Sequence, residues 1–111
     1  MFNAPARSTD QFLTMILHTV NRSPFQQTTL AQCIQRCADS DAIILLENGV
    51  YGALQNSPQA NPLSTIDCFA IKADVQARGL SDKSLIKEIE LIDFEHFVAL
   101  TCRYSLVMSW Y

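Results

Sequence analysis

The chain has 111 residues, enough for one domain with a single modest core. Apolar residues make up 49% of it and charged residues only 17%, against about 25% charged in an average soluble domain, which points to surface covered by partners. The formal charge of −3, with eight scattered basic residues, argues against nucleic acid as a direct partner, and no segment approaches the ~20 apolar residues of a membrane span.

Residues 1–14, MFNAPARSTDQFLT, carry no periodicity and read as an N-terminal extension before a single domain over 15–111. They lack the basic start and apolar centre of a secretory signal, so a cytoplasmic, reducing location is expected. Met15–Val20 reads as a strand and Asn21-Arg22-Ser23-Pro24 as a turn. Thr29-Leu30-Ala31-Gln32 matches a capping box, and Leu30, Cys33, Ile34 and Cys37 then fall on one helical face. Ala42–Leu46 is apolar without alternation, as a strand covered on both faces requires.

Asn48-Gly49 should end that strand, leaving Val50–Leu54 for one or two helical turns. Residues 55–65, polar with two prolines, read as a loop long enough for a functional role. Ile66–Ile71 is a third strand signal, and Asp74–Arg78 a short helix closed by Gly79. Ser81–Lys87 adds a further turn, and Ile89–Ile92 a fourth strand. Asp93 is placed to cap a helix from Phe94 to about Cys102, and Leu106–Trp110 is a fifth strand. Alternating strands and helices define an α/β three-layer sandwich around a largely parallel sheet of about five strands.

Cys33 is the first candidate site residue. Ligands of open α/β sheets bind at the carboxyl ends of strands, and a cysteine early in a helix gains thiolate character from the helix dipole. That contribution, about 0.3–1 kcal/mol, is under one pKa unit, so help from Arg22 or His18 would be needed. The alternative is that Cys33 is a small core residue. Cys37, Cys68 and Cys102 read as core, His18 as a hydrogen-bonded structural residue and His96 as solvated. Arg22 and Tyr51 fall at the same sheet edge as binding candidates. Arg78 completes a helix end or holds an anion. Trp110 and Tyr111 read as a subunit contact. Without CxxC knuckles, and with neither histidine beside a cysteine in sequence, no metal or cofactor is expected.

The segments LHTVNRSPF (17–25), ENGVYGAL (47–54), DVQARGL (74–80), LIDFEHFVALT (91–101) and MSW (108–110) together resemble the TusB/DsrH family. The resemblance implies a DsrE/F/H-like fold and the smallest of three related subunits, two copies of each forming a heterohexamer that relays persulfide sulfur. In the TusBCD form sulfur passes through a carrier protein to 2-thiolation of the tRNA wobble uridine. In the DsrEFH form a related relay serves sulfur oxidation. The family's main acceptor cysteine belongs to a sister subunit, at a strand end before an Arg-Gly-terminated helix. The matching stretch here, Ile71–Gly79, contains no cysteine, which implies an accessory subunit. Some family members carry a cysteine at the position of Cys33, which leaves a secondary persulfide role for it.

Overall fold

The computed structural model describes residues 15–111; the expected extension over 1–14 lies outside them. Ala42–Leu45, the strand without alternation, has all four residues buried and forms the centre of the sheet, β2. It is flanked by β1 (Ile16–Val20) and β3 (Asp67–Ile71), with β4 (Glu90–Ile92) and β5 (Leu106–Trp110) outside them. The strand order is β4-β3-β2-β1-β5 and every pairing is parallel, so each connection crosses a face of the sheet.

Successive β2 side chains feed two separate cores. Ile43 and Leu45 pack with Val20, Leu30, Cys33, Val50, Leu63 and Val75 on one face. Ala42 and Ile44 pack with Leu17, Ile71, Ile92 and Leu100 on the other. The three-layer α/β sandwich expected from the sequence is therefore present. The first face is covered by α1 (Thr29–Arg36), a 3₁₀ segment (Glu47–Ala53), α2 (Ala60–Leu63), α3 (Lys72–Ala77) and a second 3₁₀ turn (Asp82–Ser84). The second is covered by α4 (Phe94–Thr101).

The helix ends follow local chemistry, with one exception. Asp93 accepts the His96 N–H at 2.8 Å and caps α4. Gly79, at φ +67°, turns the chain out of α3 while Leu80 N–H reaches back to the Val75 carbonyl, a Schellman closure. The expected capping box at Thr29 is not formed. Thr28 stands at the cap position with φ −90° and ψ 7°, outside the extended conformation that aims a cap hydroxyl at the first turn.

Two further segments differ from the sequence reading. Residues 55–65 contain the one-turn helix α2, held by the fully buried Leu63, and Pro62 is tolerated because a first-turn N–H has no intrahelical partner. Asn48-Gly49 lies inside the first 3₁₀ segment instead of breaking the chain. A Cβ on Gly49 would lie 2.0 Å from the Val20 carbonyl oxygen, so only glycine lets this segment sit against the end of β1. Gly49→Ala is expected to cost about 3 kcal/mol in urea denaturation, the upper end of overpacking; a loss below about 1 kcal/mol would show that this contact can relax.

Candidate functional site

The carboxyl edge of the sheet, where α/β ligands commonly bind, carries two clefts. One, of 620 Å³, is lined by Leu46, Ile71, Lys72, Asp74, Phe94 and Phe97 among others, and none of its lining residues is a cysteine. It takes in the start of Ile71–Gly79. The other, of 390 Å³, is lined by Ser23, Phe25, Gln26, Asn48 and Tyr51. The turn after β1 and the segment after β2 therefore meet there. Arg22 is exposed on the same turn.

Arg78 is half-buried and pinned by neighbours of its own chain. Its Nε donates to Asn48 Oδ1 at 3.0 Å and its guanidinium to the Asp74 carbonyl at 3.2 Å. Asp74 in turn accepts the Glu47 N–H at 2.8 Å, fixing Glu47 at φ +51°. A non-glycine residue in that region costs of order 1 kcal/mol, which this buttress offsets. Arg78 thus ties α3 to the Tyr51 cleft through Asn48.

The reactive groups gather at the opposite, amino edge. In a β–α unit the helix runs back toward the start of the strands, so the end of α1 meets the head of β2. Cys37 caps that end in extended backbone, its N–H donating to the Ile34 carbonyl at 3.2 Å. Four residues on, Asp41 precedes β2 and is almost fully buried. Its carboxylate accepts Ile16 N–H and Ala38 N–H at 3.0 Å each, and His18 Nε2–H at 2.9 Å.

His18, 1% exposed on β1, is fixed from its other side by Trp110, whose indole N–H donates to Nδ1 at 3.0 Å. The indole N–H has no use for a second donor, so Nδ1 is the acceptor and Nε2 carries the proton. Burial pulls the His18 pKa down, but hydrogen bonds to Cys37 and Asp41 and their charges outweigh it and the net shift is upward. The Trp110 contact opposes protonation, since an imidazolium has no lone pair for the indole.

His18, Cys33 and Cys37 bring one ring nitrogen and two sulfurs within 4.8 Å of one another. The histidine and cysteines are thus neighbours in space although not in sequence, which corrects the spacing argument against a ligand cluster. The two thiols differ sharply. Cys33 lies in the middle of α1 with no exposure, and its hydrogen bond to Cys37, then burial, push its thiol up. Cys37 is half-buried and opens on a 310 Å³ cleft lined by Ile34, Ala38, Asp39, Thr65 and Ile66. The neighbouring Cys33 thiol, followed by the nearby His18 ring, holds its pKa down at about 6, against burial and the Asp41 charge. The two shifts run in opposite directions, favouring the proton on Cys33 and the thiolate on Cys37.

The structure reverses the order of interest that the sequence suggested for this pair. Cys33 was placed by its nearness to a helix start, yet it points into the core. Cys68 is buried as expected, and its pKa is raised by burial. Cys102 is exposed, because it follows the last buried residue of α4, Leu100. Trp110 spends its polar atom inside the chain, while Tyr111 is 76% exposed. Asp41 was missed; its one signal was an acid heading an otherwise apolar strand.

A five-stranded parallel sheet sandwiched between helices defines the class: a small α/β protein with the fold of the ychN protein from E. coli. That structure superposes with a TM-score of 0.73 at 16% identity, over 86% of this chain and 98% of that one. The Thermotoga maritima protein Tm0979 superposes at 0.61 with 28% identity, over 78% of this chain and 91% of that one. Residues 22–107 match the family described as DsrH like protein. Protein TusB of Buchnera aphidicola (subsp. Acyrthosiphon pisum, strain 5A) is 35% identical over 97 residues, and Protein TusB of Escherichia coli K12 is 33% identical over 97. Both alignments cover 86% of this chain and all of the relative. The chain belongs to the TusB/DsrH family.

Proposed function

We propose that this chain is an accessory subunit of a cytoplasmic sulfur-relay complex, built with two homologous small subunits as a heterohexamer, that supports 2-thiolation of the tRNA wobble uridine. The observation that carries the reading is its match to TusB proteins over their whole length and 86% of this chain. The cysteine-free stretch Ile71–Gly79 beside the 620 Å³ cleft supports the accessory role, since that edge offers an acceptor no thiol. With a net charge of −3, contact with tRNA falls to another component. A DsrH-type role in sulfur oxidation is one alternative, separated from the first by the identity of the partners; a free-standing homo-oligomeric binding module is the other.

The surface suits assembly. Phe94, Val98, Leu106, Val107 and Tyr111 are all large, apolar and at least 40% exposed. They lie on the single helix covering the second face and along the edge strand, where a lone domain would gain from charge. Native mass spectrometry of the tagged chain purified from its own host is expected to show two further subunits of similar size, two copies of each. Capture of a homo-oligomer alone would overturn the reading. Phe94→Asp is expected to weaken subunit capture about tenfold or more, with the unfolding midpoint unchanged. Undiminished capture would place the interface elsewhere.

A further inference from the structure

We propose that Cys37 and Cys33 form a working dithiol at the amino edge of the sheet: Cys37 takes the outer sulfur of a persulfide donor, and Cys33 discharges it by closing a Cys33–Cys37 disulfide. The choice of a persulfide as donor rests on the sulfur-relay reading. The pairing itself rests on geometry.

Three features support it. Cys37 has an approach, the 310 Å³ cleft, whereas Cys33 has none. The two sulfurs lie within 4.8 Å, and i,i+4 neighbours start with Cβ atoms about 5–6 Å apart, so closure to a disulfide needs only a small approach. Cys37 lies past the last helical residue, at ψ 132°, so rotation there leaves the α1 hydrogen bonds intact.

In the first step the Cys37 thiolate attacks the outer sulfur of R–S–SH. The donor S–S bond breaks, a new one forms on Cys37, and R–S⁻ leaves with the electron pair. In the second, Cys33 attacks the Cys37 sulfur and the persulfide leaves as hydrosulfide, taking up the Cys33 proton. The products are H₂S and the disulfide, with the two cysteine sulfurs oxidised and the sulfane sulfur reduced. When an acceptor thiol is present it can take the outer sulfur before the second step.

The same three groups have the composition of a cation site, but His18 is committed. A metal-bound imidazole donates its other N–H to an acceptor, whereas Trp110 presents a donor to Nδ1 and Asp41 already holds Nε2.

The test uses the reduced full chain with Cys102→Ser, removing the exposed thiol, and glutathione persulfide as donor. Expected are one equivalent of H₂S per chain, loss of two hydrogens in the intact mass, and a Cys33–Cys37 cross-link in the peptide map. Cys33→Ala should retain one added sulfur on Cys37 and release no H₂S; Cys37→Ser should gain no sulfur. Circular dichroism matching the parent shows that each variant is folded, and Cys33→Ser stands in should the alanine variant not fold. Unmodified protein with an active donor, sulfur carried by Cys33 in Cys37→Ser, or a stoichiometric zinc complex shielding both thiols from alkylation would each overturn the proposal. Those failures leave the capture of sister subunits untouched, so the two readings stand or fall separately.

Discussion

Between pH 6 and pH 8 the rate of Cys37 alkylation by iodoacetamide is expected to rise only about twofold, whereas a free cysteine of pKa ~8.5 rises roughly 80-fold. The difference follows from the thiolate fraction: a group with its pKa at about 6 is half ionised at pH 6 and almost wholly ionised at pH 8. The comparison is of slopes, so partial burial, which slows both measurements at Cys37 alike, drops out. The groups facing this sulfur are Cys33 on its own helix, His18 on β1, Asp41 before β2 and, more distantly, Cys68 on β3. Cys33 and His18 hold the charge; Asp41 opposes it. The end of α1 also opposes it, because a helix C-terminus disfavours an anion, so the Cys33 and His18 contacts carry the effect.

Cys33→Ala should accordingly steepen the Cys37 profile toward that of a free thiol. A profile rising through pH 8 to 9 in the parent chain would show that Cys37 is an ordinary thiol. The linked stability has a definite sign. The folded pKa of Cys37 is depressed, so its contribution is fully present above the unfolded value, near 8.5, and is lost as pH falls through about 6.

Asp41→Ala is expected to destabilise the fold by about 3–5 kcal/mol, a large share of a small domain's total. The substitution removes the acceptor of three donors at once: the part-buried Ile16 and Ala38 amides and the buried His18 Nε2–H. It also unties the start of β1, the turn after α1 and the histidine from one another. Asp41→Asn keeps an acceptor oxygen but turns an NH₂ toward donors, and should lose about 1–3 kcal/mol. Urea denaturation of the three proteins side by side measures the series. Equal losses for alanine and asparagine, or a loss under about 1 kcal/mol for alanine, would mean that the backbone donors find other partners.

Both predictions concern one cluster, and its parts differ in how visible they were beforehand. Strands announced themselves because a strand buried on two faces must be apolar throughout, as Ala42–Leu45 is. Caps such as Asp93 and Gly79 depend on neighbours three to five residues away, so their chemistry is readable in line. The family resemblance was likewise carried by short ordered segments. Residues 47–53 were harder, because the need for glycine at 49 comes from the carbonyl of Val20, on another strand.

The sequence by itself determined the parallel α/β architecture, the absence of an acceptor cysteine in Ile71–Gly79 and the family, since each rests on local pattern. Only the tertiary structure decided which thiol is favoured as thiolate. Helical periodicity put Cys33 and Cys37 on the same face but said nothing of depth. Depth was set by where α1 ends over β2, and the charge on Cys37 by His18, 19 residues upstream, oriented by Trp110 from the far end of the chain. Those contacts join positions 19 to 92 residues apart, and packing brings them together where no local pattern links them.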